Sequence, residues 1–451
     1  MSDLSQLRRL GLFEARVPRY TSYPTAPVFS RDVDAGFQAE CIESLDPAVP
    51  VSVYVHVPFC ERLCWFCACR TQGTKTLDPV EIYLGTLEAE MALLRRYLPA
   101  GLRMGRLHWG GGTPTILPPP MIHRLAEALK ALIPPADGFE FSVEIDPTMV
   151  DDAKISALRE QGLGRASIGI QDFLPKVQQA IGREQSFEAT AACVRSLRAA
   201  GVRSLNTDLV YGLPHQTVGT IRETVGKVLT LAPDRVALFG YAHVPHMSKR
   251  QKLIDEAALP GDVSRHDLFC AAAELFREAG YDALGIDHFA RPGDRLARAA
   301  RNGQLRRNFQ GYTDDTCPSL IGLGASSISR FDAGYVQNAA ATPGYTKRIE
   351  AGMLAGHRGH RLSAEDGLRA RAIEMLMCDF RIDLRELRRT FGPAAESLAP
   401  IHAAASRRFA GLVEVRPDAV DIRPEGRPLA RMIASQYDGY ANVEAFFSKA
   451  S

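Results

Sequence analysis

The sequence predicts an α/β protein: a partial (β/α)6 barrel with an N-terminal arm before it and a small, mostly helical, winged-helix-like domain after it. Three observations carry this. From about residue 51 to 290, extended apolar runs alternate with amphipathic helical patterns, the signature of β–α units on a parallel sheet. Six such units are too few to close a full barrel, so the predicted sheet stays open at one side, with its chemistry at the C-terminal strand ends. Beyond about residue 362 the alternation gives way to helix, helix, hairpin and helix. The expected divisions are an arm over 1–50, the barrel and its extension over 51–361, and the small domain over 362–451.

The expected strands are Val51–Val57 (VSVYVHV), 106–109, 139–145 (FEFSVEI), 166–170, Ser204–Tyr211 and 235–241. The first helix begins with Asp78 as N-cap and Pro79 at the first helical position, and its apolar stripe is Leu84, Leu87, Met91, Leu94 and Leu98. A second stripe, Ile122, Leu125, Leu129 and Leu132, fits an outer helix packed on a sheet. In the small domain, 412–415 and 420–422 flank the turn Arg416-Pro417-Asp418. Basic residues there are interleaved with acids, which favours a packing module over a DNA reader.

Composition sets further bounds. The 451 residues exceed what one hydrophobic core usually organises, and 46% hydrophobic with 24% charged is a globular balance. Lys plus Arg (54) nearly cancels Asp plus Glu (52), so the basic excess of a nucleic-acid binder is missing. Residues 1–10 lack the apolar core of a signal peptide and no apolar run approaches membrane-spanning length, which predicts a cytoplasmic protein. Of nine cysteines, Cys60, Cys64, Cys67 and Cys69 cluster, which in a reducing compartment suggests metal or redox chemistry. Cys41, Cys193, Cys270, Cys317 and Cys378 are scattered and read as inert packing residues.

Cys60-Glu-Arg-Leu-Cys64-Trp-Phe-Cys67 has the spacing Cys-x3-Cys-x2-Cys. A [4Fe–4S] cluster commonly takes four thiolates, so three in a tight loop leave one iron open to an exchangeable ligand. The competing readings are zinc or coincidence; zinc prefers a closed set built from two separated pairs, and no distant partner pair is present. After the second strand comes Gly110-Gly111-Gly112-Thr113-Pro114-Thr115, where missing side chains allow backbone to approach a ligand closely.

Together, the cysteine loop and the glycine triplet resemble the radical S-adenosylmethionine (SAM) enzymes. More narrowly, the chain is similar over nearly its full length to the oxygen-independent coproporphyrinogen III oxidases. The residues that carry this are Arg19-Tyr-Thr-Ser-Tyr23-Pro-Thr, Tyr54-Val-His-Val-Pro-Phe-Cys60, His108-Trp-Gly-Gly-Gly-Thr113, Glu144-Ile-Asp-Pro147 and Gly169-Ile-Gln171-Asp-Phe173. Asp208-Leu-Val-Tyr-Gly212-Leu-Pro214, Tyr241-Ala242-His243, Asp287-His-Phe-Ala-Arg291-Pro and Asn308-Phe-Gln310-Gly-Tyr312 complete the set. Ala68 stands where relatives commonly have glycine.

The resemblance implies a [4Fe–4S] cluster on Cys60, Cys64 and Cys67 and two SAM molecules. It places the first SAM against Tyr54, Gly111, Glu144 and Ile328, and the second against Phe66, Gly112, Thr113, Gln171, Arg183, Asp208 and Ala242. Cys69 is implied as a catalytic-site mark of the family and not as a fourth ligand. The implied substrate is coproporphyrinogen III, with a small flavodoxin- or ferredoxin-like electron donor, no nucleic acid, no membrane span and a monomeric enzyme. The tetracarboxylate needs cations, for which Arg16, Arg19, Arg291, Arg306 and Arg307 are candidates, and the arm with Tyr20 and Tyr23 is expected to lie over the barrel mouth. Competing readings are a haem chaperone, whose sequences lack the Cys69 position and the long arm, a methyl-transferring or cyclopropane-forming relative, and an oxygen sensor that binds DNA.

Overall fold

In the computed structural model, which describes residues 4–441 and 450, apolar and polar residues alternate along each central strand and so decide which face looks where. The six expected strands are present as β1 (Val51–Val57), β2 (Met104–Gly111), β3 (Pro135–Ile145), β4 (Leu163–Gln171), β5 (Ser204–Tyr211) and β6 (Arg235–Gly240), all parallel. Helices Asp78–Leu94, Pro119–Leu132, Asp152–Glu160, Phe187–Ala199, Val218–Thr230 and Asp262–Glu278 follow them in turn.

The sheet is larger than six strands. β7 (Asp282–Leu284) and β8 (His288–Ala290) form an antiparallel hairpin on the β6 edge. On the other edge β9 (Leu320–Leu323) pairs parallel to β1, and β10 (Ile328–Phe331), β11 (Gly334–Asn338) and β12 (Gly356–Arg361) continue as a meander. The order is β12-β11-β10-β9-β1-β2-β3-β4-β5-β6-β8-β7. The added strands are three to six residues long and carry no long apolar run, which is why hydrophobic patterning passes over them.

One face of the sheet packs under the helices. Val53, Val55, Leu107, Trp109, Phe141, Val143, Ala166, Ile168, Leu205, Leu209, Val236 and Leu238 join Leu84, Leu87, Ile122, Leu125, Leu158, Leu197, Ile221 and Phe276 in one buried cluster. The alternate residues face the other way and are polar: Ser52, Tyr54, Arg106, His108, Glu140, Ser142, Glu144, Arg165, Asn206 and Asp208. Arg106 of β2 and Arg235 of β6 both reach Asp314, at 3.4 and 3.7 Å. A flat sheet would hold their backbones roughly 19 Å apart across the intervening strands. The polar face is therefore concave.

Two expected details differ. Asp78 is the first helical residue and Leu77 sits at the cap without a side-chain bond; Leu98 lies in the turn beyond the helix end. The C-terminal hairpin, Val413–Arg416 with Ala419–Ile422, gains a third strand, Arg381–Asp383.

The N-terminal arm divides: Val33, Phe37, Cys41 and Ile42 pack with the large core, and the stretch before them does not. Leu7, Leu12, Phe13, Tyr20 and Tyr23 belong to the C-terminal cluster with Leu368, Leu376, Ile382 and Tyr437. Tyr20 donates to Asp438 at 3.0 Å, the Gly439 N–H donates to the Tyr23 hydroxyl at 2.8 Å, and buried Arg431 donates to the Pro18 and Val17 carbonyls. The two tyrosines thus point into the C-terminal layer and not into the barrel mouth, where they were expected. Arg19 reaches the strand ends, donating to the Gly240 carbonyl.

Candidate active site

The cysteines follow directly from β1, on a loop that the glycine triplet clasps from the β2 side. The Gly112 and Thr113 N–H groups donate to the Val57 and Phe59 carbonyls, each at 2.8 Å, and the Gly111 N–H donates to Glu144 Oε2 at 3.1 Å. These three N–H groups are thus bonded within the protein. Glycine is still required: Gly111 has φ +111° and a Cβ there would lie 2.6 Å from the His56 ring, while one at Gly112 would lie 2.5 Å from the Phe59 carbonyl oxygen.

Polar groups are aimed at the thiols. The Thr113 hydroxyl donates to Cys60 Sγ and the Arg183 guanidinium to Cys64 Sγ, both at 3.5 Å. A hydrogen bond from the Cys69 side chain lowers the Cys67 thiol to about 6, helped by Arg250 and Arg183 against the effect of burial. The same bond, with burial of the thiol, raises Cys69. Burial pushes Cys60 up to about 11.

Among the described residues no three His, Cys, Asp or Glu side chains converge closely enough for a single metal ion. Three thiols on one tight loop suit a [4Fe–4S] cluster in donor chemistry. The scattered Cys41, Cys193, Cys270, Cys317 and Cys378 are free, and burial raises all five thiols, as inert packing residues require.

Further residues line the concave face beside the loop. Tyr54 stacks on His108 with ring centres 5.8 Å apart and hydrogen-bonds His56 Nδ1 at 3.1 Å. His56 Nε2 faces the Arg70 carbonyl at 3.0 Å, so Nε2 carries the proton and Nδ1 accepts from Tyr54. Glu144 keeps 40% of its side chain open to the concavity. Burial would raise its carboxyl, but His108 and the Gly111 N–H hold it below the usual range. Asp208, bonded by Ser167 at 3.0 Å and Asn206 at 2.8 Å, is pushed up to about 6 by burial and by Glu144.

Arg183 is already engaged, by Asp146 at 3.2 Å and the Gly169 carbonyl at 2.9 Å, so it braces the cysteine loop in addition to any ligand contact. Gln171 ends β4 in the left-handed region at φ +69°, a turn held by buried Asp172, which accepts from the Leu174 N–H at 2.7 Å and from Gln216 at 2.6 Å. Ile328 opens β10, between β9 and β11. Phe66 and Ala242 are brought together by a residue that sequence reasoning missed: Gln251, fully buried, donates to both carbonyls at 2.8 and 3.1 Å. Its neighbours Ser248 and Arg250 donate to the Cys67 and Cys69 carbonyls at 2.9 and 3.2 Å. Nothing in the polar run 246–252 distinguishes it from a solvated loop.

The five candidate arginines separate. Arg291 binds the Pro233 and Asp234 carbonyls at the start of β6, the end opposite the cysteines, and Arg16 is exposed on the arm. Arg19 and Arg307 lie together, Arg307 donating to the Arg19 carbonyl at 3.2 Å with its guanidinium 4.3 Å over the Tyr312 ring; Arg306 is next to it.

A parallel sheet with a three-thiol loop after its first strand defines a radical SAM enzyme, and the Radical SAM superfamily model matches residues 54–228. An oxygen-independent coproporphyrinogen III oxidase of Cereibacter sphaeroides (strain ATCC 17025) is 63% identical over the full length of both chains. One from Paracoccus denitrificans is 55% identical over 98% of each. The solved coproporphyrinogen III oxidase (HemN) from Escherichia coli, a radical SAM enzyme, superposes with a TM-score of 0.91 at 35% identity, over 98% of this chain and 99% of that one. The chain belongs to the oxygen-independent coproporphyrinogen III oxidases.

Proposed function

We propose that this chain converts two propionate side chains of coproporphyrinogen III to vinyl groups without oxygen, giving protoporphyrinogen IX. What carries the reading is a loop of three thiols beside Glu144 and Asp208 on a concave polar face, in a chain whose whole length matches coproporphyrinogen III oxidases. Cys60, Cys64 and Cys67 hold a [4Fe–4S] cluster, leaving one iron open. When bound, the cluster supplies the electron that cleaves SAM to methionine and a 5′-deoxyadenosyl radical able to take hydrogen from a propionate β-carbon. For each propionate the carboxylate leaves as carbon dioxide and one hydrogen atom ends in 5′-deoxyadenosine. The substrate radical gives up one electron as it decarboxylates, matching the one put in, so the step balances with SAM as the oxidant consumed.

The protein's own residues bind and orient. Tyr54, Gly111, Glu144 and Ile328 take the first SAM, with the low-pKa Glu144 ionised to accept its ammonium group. Phe66, Gly112, Thr113, Gln171, Arg183, Asp208 and Ala242 take a second, and Cys69 stands at the loop's exposed edge. The concave sheet is read as the partial (β/α)6 barrel, between an arm over 1–50 and a winged-helix-like unit over 362–451. The enzyme acts as a cytoplasmic monomer, without nucleic acid, and takes electrons from a small carrier protein. No helix among the described residues is long and apolar enough to cross a membrane.

The test is an anaerobic assay of the reconstituted, reduced protein with SAM and coproporphyrinogen III, following protoporphyrinogen and 5′-deoxyadenosine together. Both products, in a ratio of one vinyl group per deoxyadenosine, are expected. Deoxyadenosine without decarboxylated porphyrin would discard the substrate.

A further inference from the structure

We propose that the surface strip over 246–253, outside the cysteine loop, is the docking site for an acidic one-electron carrier protein. The inference rests on reading that loop as the cluster's holder. The strip is fixed to the loop by three residues: Ser248 on the Cys67 carbonyl, Arg250 on the Cys69 carbonyl and Thr71 hydroxyl (2.9 Å), and Gln251 on the Phe66 carbonyl. Their neighbours on either side are exposed to solvent. Met247 is 64% and Leu253 59% exposed, and Lys249 and Lys252 stand exposed between them.

Single exposed apolar residues are ordinary, but a pair on one short strip rimmed by cations has the anatomy of an interface: an apolar centre and a charged edge. The cysteine loop adds exposed Arg70 and Lys75 to the same sign. The acids nearby in sequence are Glu61, Asp78, Asp255 and Glu256, and Glu256 is engaged by His243 at 2.9 Å. A cationic rim selects an acidic partner and speeds its encounter. Position selects the partner's chemistry: a carrier seated here is separated from Cys67 by one hydrogen-bonded layer of protein. The step balances simply, since the carrier loses one electron, the cluster gains it, and no bond or proton moves.

The test uses the full-length reconstituted enzyme, following bleaching of the cluster absorbance by stopped flow with photoreduced flavodoxin, with reduced ferredoxin, and with dithionite. Charge reversal in a Lys249→Glu, Lys252→Glu double variant should slow carrier-driven reduction about tenfold at low salt and flatten its salt dependence. Reduction by dithionite, which needs no docking, should stay within about twofold. Met247→Ser with Leu253→Ser should weaken the carrier with little change in salt dependence. Carrier-driven rates equal to wild type in both variants overturn the proposal, as does a wild-type enzyme that dithionite reduces and neither carrier does. A wild-type chain with no reducible cluster overturns instead the reading of the cysteine loop on which the proposal stands.

Discussion

The two ends of the parallel sheet handle charge in opposite ways. At the N-terminal end, Arg106, Arg165, Arg235 and Arg295 interlock with Glu140, Asp294 and Asp314: Arg106–Glu140 at 2.7 Å, Arg235–Asp294 at 2.7 Å, Arg295–Asp314 at 3.1 Å. These groups are paired across the floor of the concave sheet. At the C-terminal end, Cys67 is pulled down, Asp208 pushed up and Glu144 left partly open. A sheet that pairs its charges at one end can carry groups with perturbed titration, partly open to a ligand, at the other. The same residue types therefore carry different meanings according to the strand end they occupy.

The largest contrast should come from removing one residue at each end. Cys60→Ala is expected to abolish cluster-dependent absorbance and both products while leaving the thermal midpoint of the cluster-free protein nearly unchanged. Asp314→Asn should do the reverse. It leaves Arg235, only 3% exposed, short of compensation, at a cost of about 3 kcal/mol in stability by denaturant titration. Cluster content per folded molecule should stay at wild-type level. An Asp314→Asn protein of normal stability would show that the floor network is not what holds the sheet.

A smaller effect, confined to the upper end, tests the clamp. Gln251→Ala leaves the Phe66 and Ala242 carbonyls without their donor, a loss of about 1–3 kcal/mol of local order. Since both residues are assigned to the second SAM, its apparent affinity should fall about tenfold with the iron and sulfide content intact. Unchanged SAM dependence would make Gln251 a purely structural residue.

Much of this division was legible in the sequence. The period-2 patterns of VSVYVHV and FEFSVEI state which residues enter the helix-covered core and which face inward, and the spacing of Cys60, Cys64 and Cys67 states the chemistry. Three things were not legible. The edge strands are too short to show a period. The clamp of Ser248, Arg250 and Gln251 acts through side-chain bonds to backbone carbonyls, which leave no pattern in residue type. The arm's tyrosines carry no mark of their partner, so Tyr20 and Tyr23 could be assigned to the mouth when their hydroxyls are taken by Asp438 and Gly439. Arg291 was misplaced for a related reason: its position after the barrel strands does not reveal that β8 runs antiparallel and carries the chain back to the floor.

The mildest prediction asks whether the perturbed titrations of the upper end extend behind it. Glu90, on the helix Asp78–Leu94, is buried and accepts from the Gly324 N–H (2.8 Å), Asn338 (2.8 Å) and Tyr345 (2.7 Å). Tyr83 on the same helix joins the His56 carbonyl to the Ala325 N–H, so the pair sets the loop that delivers Ile328. Burial raises the Glu90 carboxyl to about 7 despite these bonds. A folded pKa above the ordinary value of about 4.5 means that the folded state holds the proton more tightly. The stability this contributes is complete below about 4.5 and is lost as pH rises towards 7, amounting to roughly 3 kcal/mol across the window. Glu90→Gln removes the titration, so the difference in thermal midpoint between variant and wild type should move in the variant's favour from pH 5 to pH 8. Parallel curves for the two proteins would place Glu90 with the paired charges of the floor and restrict the poised groups to the concave face itself.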